Sequence, residues 1–168
     1  MTRRLLPLLP LLLLAGCGFS PLYSGGSHGP VAATLAGVDV APISGEAGWL
    51  VRGAIRDRLA VAGDGTPRYR LQVVLDDQIG GFGVRRDDSV TRERRSLRAR
   101  WQLVDIASGQ NLIDDVAASD MGIDVTVSEY ATIAAERTAL ERLADAIAEQ
   151  IIQRVAQYGE ATAQPAAR

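Results

Sequence analysis

The sequence predicts an α+β fold: a two-layer sandwich, with two helices packed on one face of a roughly four-stranded mixed sheet. Two stretches, Gly48 to Ala62 and Ser128 to Tyr158, repeat apolar residues at helical spacing. Two others, Arg68 to Asp76 and Ser96 to Leu103, alternate apolar and polar residues with period two. Strands with one apolar face need a cover on that face only, and two amphipathic helices supply it.

The first residues lie outside that scheme. Arg3 and Arg4 precede an apolar run, Leu5 to Leu14, interrupted only by Pro7 and Pro10. The run is too short to cross a bilayer core of ~30 Å as a helix. A charged start, a short apolar run and small residues before a cut mark a secretory signal. Leu14-Ala15-Gly16-Cys17 is similar to the lipobox of bacterial lipoproteins, in which the thiol accepts a diacylglycerol. The expected order is a signal peptide over 1–16, a lipidated N-terminus and flexible tether over 17–36, one α+β domain over 37–159 and a disordered tail over 160–168. Two or more acyl chains anchor a protein stably, so the mature chain is expected on a membrane without spanning it.

Within the domain, Val38 and Val40 begin a short first strand running toward Ile43, with Pro42 and Ser44-Gly45 ending it. Val51, Ile55, Leu59 and Ala62 line one side of the first helix, and Gly63 stops it. Tyr69, Leu71, Val73 and Leu75 mark the apolar face of the next strand, and the glycine-rich Gln78–Val84 reads as a flexible stretch near a hairpin end. If the first two strands are parallel, the helix between them makes a right-handed crossover. Leu97, Ala99, Trp101 and Leu103 define the inner face of the clearest strand; Ser108-Gly109 reads as a turn, and Leu112 to about Ser119 returns. In the last helix Ile133, Leu140, Ile147 and Ile151 share a stripe with Leu143, Ala144 and Val155. Thr126 and Glu129 have capping-box spacing, and Gly159 is the expected terminator.

Composition narrows the function. Cys17 is the only cysteine, so no disulfide supports the domain. All 18 basic residues are arginine, and removing Arg3 and Arg4 leaves 16 against 20 acids. A mature net charge near −4 argues against nonspecific nucleic-acid binding. His28 is the only histidine and falls in the tether, so no Ser-His or Cys-His arrangement can be built in the domain. Clusters of the usual metal ligands are missing from the sequence, and no cofactor is expected beyond the covalent lipid on Cys17. Asp76-Asp77, Asp87-Asp88 and Asp114-Asp115 read as solvated residues near strand ends, and Gly80-Gly81-Phe82-Gly83 lacks the Lys and the following helix of a phosphate loop.

One segregation of charge remains. Arg85 to Arg100 holds seven arginines and three acids, whereas the rest of the mature chain carries nine arginines and 17 acids. Alternation sends Arg92, Arg94, Arg98 and Arg100 to the face opposite Trp101, and Arg68 and Arg70 join them if the neighbouring strand is registered that way. Such a row suits phosphate or carboxylate ligands, through charge-assisted and often bidentate bonds. The alternative is a solvated strand face balanced by acids on neighbouring strands.

Cys17-Gly18-Phe19-Ser20-Pro21-Leu22-Tyr23 resembles the start of mature lipopolysaccharide-assembly lipoproteins, the LptE family, in its alphaproteobacterial form. Trp101-Gln102-Leu103-Val104-Asp105 is similar to the family's central strand. Ser128-Glu129-Tyr130-Ala131, Ala135-Glu136 and Ala139 to Ala144 resemble the start of its long helix, while Ile123-Asp124-Val125 departs from the Tyr-Asn pair expected there. The resemblance implies an outer-membrane lipoprotein on the periplasmic side, not an enzyme, that plugs the LptD β-barrel, assists its assembly and has lipopolysaccharide as a further partner. Gly18 is not the Asp that retains many lipoproteins in the inner membrane. The alternative from another class is a periplasmic auxiliary lipoprotein of an ABC-type lipid transporter.

Overall fold

The computed structural model describes residues 29–84, 90–125 and 128–163. In chain order the elements are α1 (Pro30–Ala36), β1 (Val38–Val40), α2 (Gly45–Ala60), β2 (Tyr69–Val84), β3 (Val90–Asp105), β4 (Asn111–Asp124) and α3 (Glu129–Ala163). The sheet order is β1-β2-β3-β4. β1 runs parallel to β2, and β2, β3 and β4 form an antiparallel meander, so the sheet is mixed.

Parity decides what each strand buries. Odd-numbered Leu71, Val73, Leu97, Ala99, Trp101, Leu103, Ile113 and Ala117 point to one side and join a single apolar core. Val51, Ile55 and Leu59 of α2 and Leu140, Leu143, Ile147, Ile151 and Val155 of α3 close that core from above. Even-numbered Arg70, Gln72, Val74, Asp76, Arg98 and Arg100 lie exposed on the opposite side. Arg58 ties the two long helices together, its guanidinium 3.3 Å from Asp145 and 3.2 Å from Glu149.

Several expected boundaries move. Pro30–Ala36, expected within the tether, is a helix, because Val31, Thr34 and Leu35 bury one side of it. Proline at its first position has no N–H to leave unsatisfied. α1 is thus a third helix. Gln78–Val84 is strand: the glycines extend β2 opposite Val90–Ser96, with a register shift between Gly81 and Gly83. β3 and β4 are correspondingly longer than the apolar alternation alone marks out. The Asp105–Gln110 turn is as expected, with Gly109 at φ +70°.

Gly159 does not end α3, which continues to Ala163. A Cβ on Gly159 would stand 2.7 Å from Thr34 Oγ1, so glycine there permits α1 to lie against α3. Ile133 is 56% exposed and outside the core. Buried residues of α3 begin only at Ala139; beneath its earlier turns Arg95 pairs with Asp77 and donates to the Glu136 carbonyl. Ser128 Oγ accepts the Ala131 N–H at 3.4 Å before α3 begins. Thr126, Cys17, the 1–28 segment, Asp87-Asp88 and the last five residues of the expected tail lie outside the described residues.

Candidate functional site

The side of the sheet away from the helices carries the arginines expected there. Arg92, Arg94, Arg98 and Arg100 all emerge on it from β3, exposed, because each is an odd number of residues from the buried Trp101. The β2 register sets Arg70 opposite Val104 and Asp76 opposite Arg98, so Arg70 shares that face. Arg70 and Arg68 do not join the main row. They stand beyond its end: Arg70 and Arg68 are four and six residues from Val74, the partner of Arg100, or roughly 14 and 20 Å at about 3.4 Å per residue. Arg68 precedes β2, with its guanidinium 5.3 Å from the Tyr69 ring centre and 3.9 Å from Asp105.

Acids from neighbouring strands reach most of these cations. Arg92 lies 2.9 Å from Asp124, Arg94 3.7 Å from Asp120, and Arg100 3.8 Å from Asp114, all three aspartates coming from β4. Arg70 lies 3.8 Å from Asp39 of β1. The local excess of positive charge along the chain is therefore offset in space. Arg98 differs: its cross-strand neighbours are Asp76 and Ala118, and it has no ion pair among the described residues. Exposed pairs of this kind contribute only about 0–1 kcal/mol, so they leave the arginines free to exchange partners.

Two shallow depressions of about 320 Å³ each flank Ser96 on this face. Arg94 and Phe82 border one, where Gly80 and Gly122, the two cross-strand neighbours of Arg94, contribute no side chains. The Arg94 guanidinium lies 5.3 Å from the Phe82 ring centre, within cation–π range. Arg98, Asp76 and Asp120 border the other. The surface thus offers guanidinium donors about four residues apart, or ~13 Å along the strand, with an aromatic ring at one end.

Asp76-Asp77 and Asp114-Asp115 are strand residues, not turn residues, and the two members of each pair point to opposite faces. Asp76 faces the open side while Asp77 turns inward; Asp114 meets Arg100 and Gln102, whereas Asp115 meets Arg154 of α3. Arg95, outside the expected row, is the partner of Asp77. Its odd number in β3 is the signal that it turns toward the helices. There its Nη1 also donates to the Glu136 carbonyl at 2.9 Å, and the Asp77 carboxylate raises its pKa above the ordinary arginine value.

Among the described residues no group of three or more His, Cys, Asp and Glu could hold a metal ion, and no helix is long and apolar enough to cross a membrane.

The fold has solved relatives. A lipoprotein from Caulobacter crescentus CB15 superposes with a TM-score of 0.64 at 22% identity, covering 79% of this chain and 98% of that one. Rare lipoprotein B from Shewanella oneidensis gives 0.62 at 9% identity over 76% and 98% of the two chains. A minor lipoprotein from Acinetobacter baumannii gives 0.60 at 12% identity over 73% and 92%. At these identities the likeness is one of fold. A sequence search of curated proteins finds no match. The family model described as LptE, lipopolysaccharide-assembly, matches residues 35–155, from the end of α1 to Val155 in the final turns of α3, and the chain therefore belongs to the LptE family.

Proposed function

We propose that this LptE-family chain is an outer-membrane lipoprotein, held by lipid on Cys17 at the periplasmic side, that plugs the LptD β-barrel and assists its assembly for lipopolysaccharide insertion. Its part is to bind and position, not to catalyse. The observation that carries this reading is the two-sided sheet: one side is sealed by α2 and α3, while the other is exposed, polar and lined with arginine. The lumen of a membrane β-barrel is polar. A plug needs such a face, because an apolar one would find nothing to bury against.

On this face Arg98 makes the first contact with an anion, having no acid to release. Arg94 and Arg100 follow by exchanging Asp120 and Asp114 for phosphate. The magnitudes favour exchange, since a charge-assisted hydrogen bond contributes about 1.5–3 kcal/mol and an exposed ion pair about 0–1 kcal/mol. Arg92 extends the row toward the end of the β2–β3 hairpin; Arg68 and Arg70 form a separate, distal pair.

Affinity purification of the lipidated protein from detergent-solubilised membranes tests the proposal. Recovery of an outer-membrane β-barrel in stoichiometric amount is expected. Recovery of an inner-membrane permease in its place would support an ABC-transporter accessory and refute the plug.

A further inference from the structure

Both long helices run against β2: α2 carries the chain from β1 back to the start of the parallel β2, and α3 returns from β4, which also runs parallel to β2. Arg58 fixes their relative height by meeting Asp145 and Glu149. Gly45, the first residue of α2, lies 13 residues before Arg58, and the same step back from Asp145 and Glu149 reaches residues 132 and 136. The first turn of α3 therefore overhangs the start of α2. Ile133 lies seven residues before the buried Leu140, close to two helical turns, and so faces the same way. It is nevertheless 56% exposed, because the stripe loses its cover where α2 begins. On the sheet, Ile79 turns to the same side as Asp77 and is 45% exposed. Gly81, the next residue of β2 on that side, adds no side chain. Opposite Gly81 stands Glu93 of β3, whose Oε2 is buried without a hydrogen-bond partner. The result is a notch at the hairpin end of the helix side, walled by Ile133 and floored by Ile79, Gly81 and Glu93.

The charge around the notch is one-sided. Asp77, then Glu136 and Glu46, are the carboxylates that raise the pKa of Arg95. With Glu93 they place four acids around one arginine. Arg137, on the same turns of α3, is already paired with Glu141 at 3.7 Å. Glu46, in the first turn of α2, offsets the positive end of that helix. The field here is negative, opposite to that of the arginine row, so it repels phosphate and carboxylate and favours a cation. A buried acceptor left unpaired is costly, and an arriving cation would remove that cost at Glu93. A bare metal ion does not fit, since no group of three or more ligating side chains among the described residues could hold one.

We propose that this notch seats a segment of a partner protein that presents an arginine or lysine beside a large apolar side chain. The cation meets Glu93 Oε2, and the apolar group covers Ile79 and Ile133. The inference rests on the plug reading, which makes the barrel wall the donor of that segment. A few anchors seated in recesses carry most of the energy of a protein interface, and this recess is built for one. It also gives the plug two unlike contacts, anions on the arginine face and a cation on the helix side. Complementary charges of this kind fix the orientation in which two proteins dock.

The test purifies the full lipidated chain with its barrel from detergent-solubilised membranes. Glu93→Gln removes the charge at constant shape, and Ile133→Asp sets an acid where the apolar contact belongs. Each should lower barrel recovery at least roughly tenfold, since losing one partner of a desolvated pair speeds dissociation. Val61→Asp, an exposed control beyond the far end of α2, should recover barrel as wild type does. Thermal melts of Ile133→Asp without barrel should match wild type, which separates docking from folding. A photo-reactive benzophenone side chain placed at position 133 should cross-link to a barrel segment that contains arginine or lysine. Equal barrel recovery by wild type and both variants overturns the notch and leaves the plug standing. So does an equal loss in Val61→Asp, or cross-linking to lipid, to a second copy or to a barrel segment without either cation. A wild type that recovers no barrel refutes the plug reading, and the notch falls with it.

Discussion

Arg95 and Asp77 meet on the helix side of the sheet, with Nε 2.9 Å from Oδ1 and Nη2 2.6 Å from Oδ2. The pair is bidentate and mostly shielded, and the third donor of the same guanidinium holds the Glu136 carbonyl. It fastens the first turns of α3, which bury nothing before Ala139. Asp77→Ala leaves that guanidinium without its anion and should cost about 2 kcal/mol, within the range for hydrogen bonds to charged groups. Amide hydrogen exchange over residues 129–138 should quicken in the variant more than exchange over 140–155. Equal changes in the two segments would mean that the pair supports the sheet alone.

Gly159 should resist replacement although it lies within a helix. Alanine is favoured over glycine in a helix by about 1 kcal/mol, but here its Cβ would meet Thr34 Oγ1 at 2.7 Å and Thr34 Cβ at 2.9 Å. Overpacking of this kind costs about 1–3 kcal/mol. Gly159→Ala should therefore be destabilising on balance, and Thr34→Gly in the same chain should recover part of the loss. Denaturant melts of the single and the double variant beside wild type check this.

Trp101 is buried between sheet and helices, so Trp101→Ala should cost about 3–5 kcal/mol. Ile133→Ala should stay within about 0.5 kcal/mol, as an exposed substitution does. Thermal melts of both variants separate the buried inner face from the solvated start of α3.

Asp105 closes the turn before β4, accepting the backbone N–H and hydroxyl of Ser108 at 2.8 and 2.9 Å and the Ala107 N–H at 3.1 Å. The Ser108 backbone bond leads the causes that hold its pKa below the ordinary carboxylate value of 3.8. A depressed carboxylate contributes stability that is present above its unfolded pKa and is lost as pH falls through its folded pKa. Denaturation midpoints measured downward from pH 5 should fall less steeply below about pH 4 in Asp105→Asn than in wild type.

Much of this was legible in the residues. Alternation around Trp101 assigns the inner face of β3 and with it the outward course of Arg94, Arg98 and Arg100, since parity is a local property of a strand. Two features were not. Alternation shows which face a residue takes but not who stands opposite: Asp114, Asp120 and Asp124 lie 14 to 32 residues beyond their arginines and meet them only through the β3–β4 register. Glycine was ambiguous for a similar reason. Gly159 and Gly80–Gly83 read locally as a helix stop and a flexible stretch, yet one accommodates Thr34 from a distant helix and the others extend a strand whose partner is fixed across the hairpin.

The open arginine face is the centre of the functional account, and replacing Arg94, Arg98 and Arg100 together by Gln tests it most directly. These side chains are exposed and loosely paired, so the melting curve should hardly move. Lipopolysaccharide binding to the lipidated wild type, followed by titration, should weaken as salt rises and fall at least roughly tenfold in the triple variant, a loss of about 1.4 kcal/mol. A triple variant that binds lipopolysaccharide as tightly as wild type at every salt concentration would contradict the account and leave the row a solvated strand face.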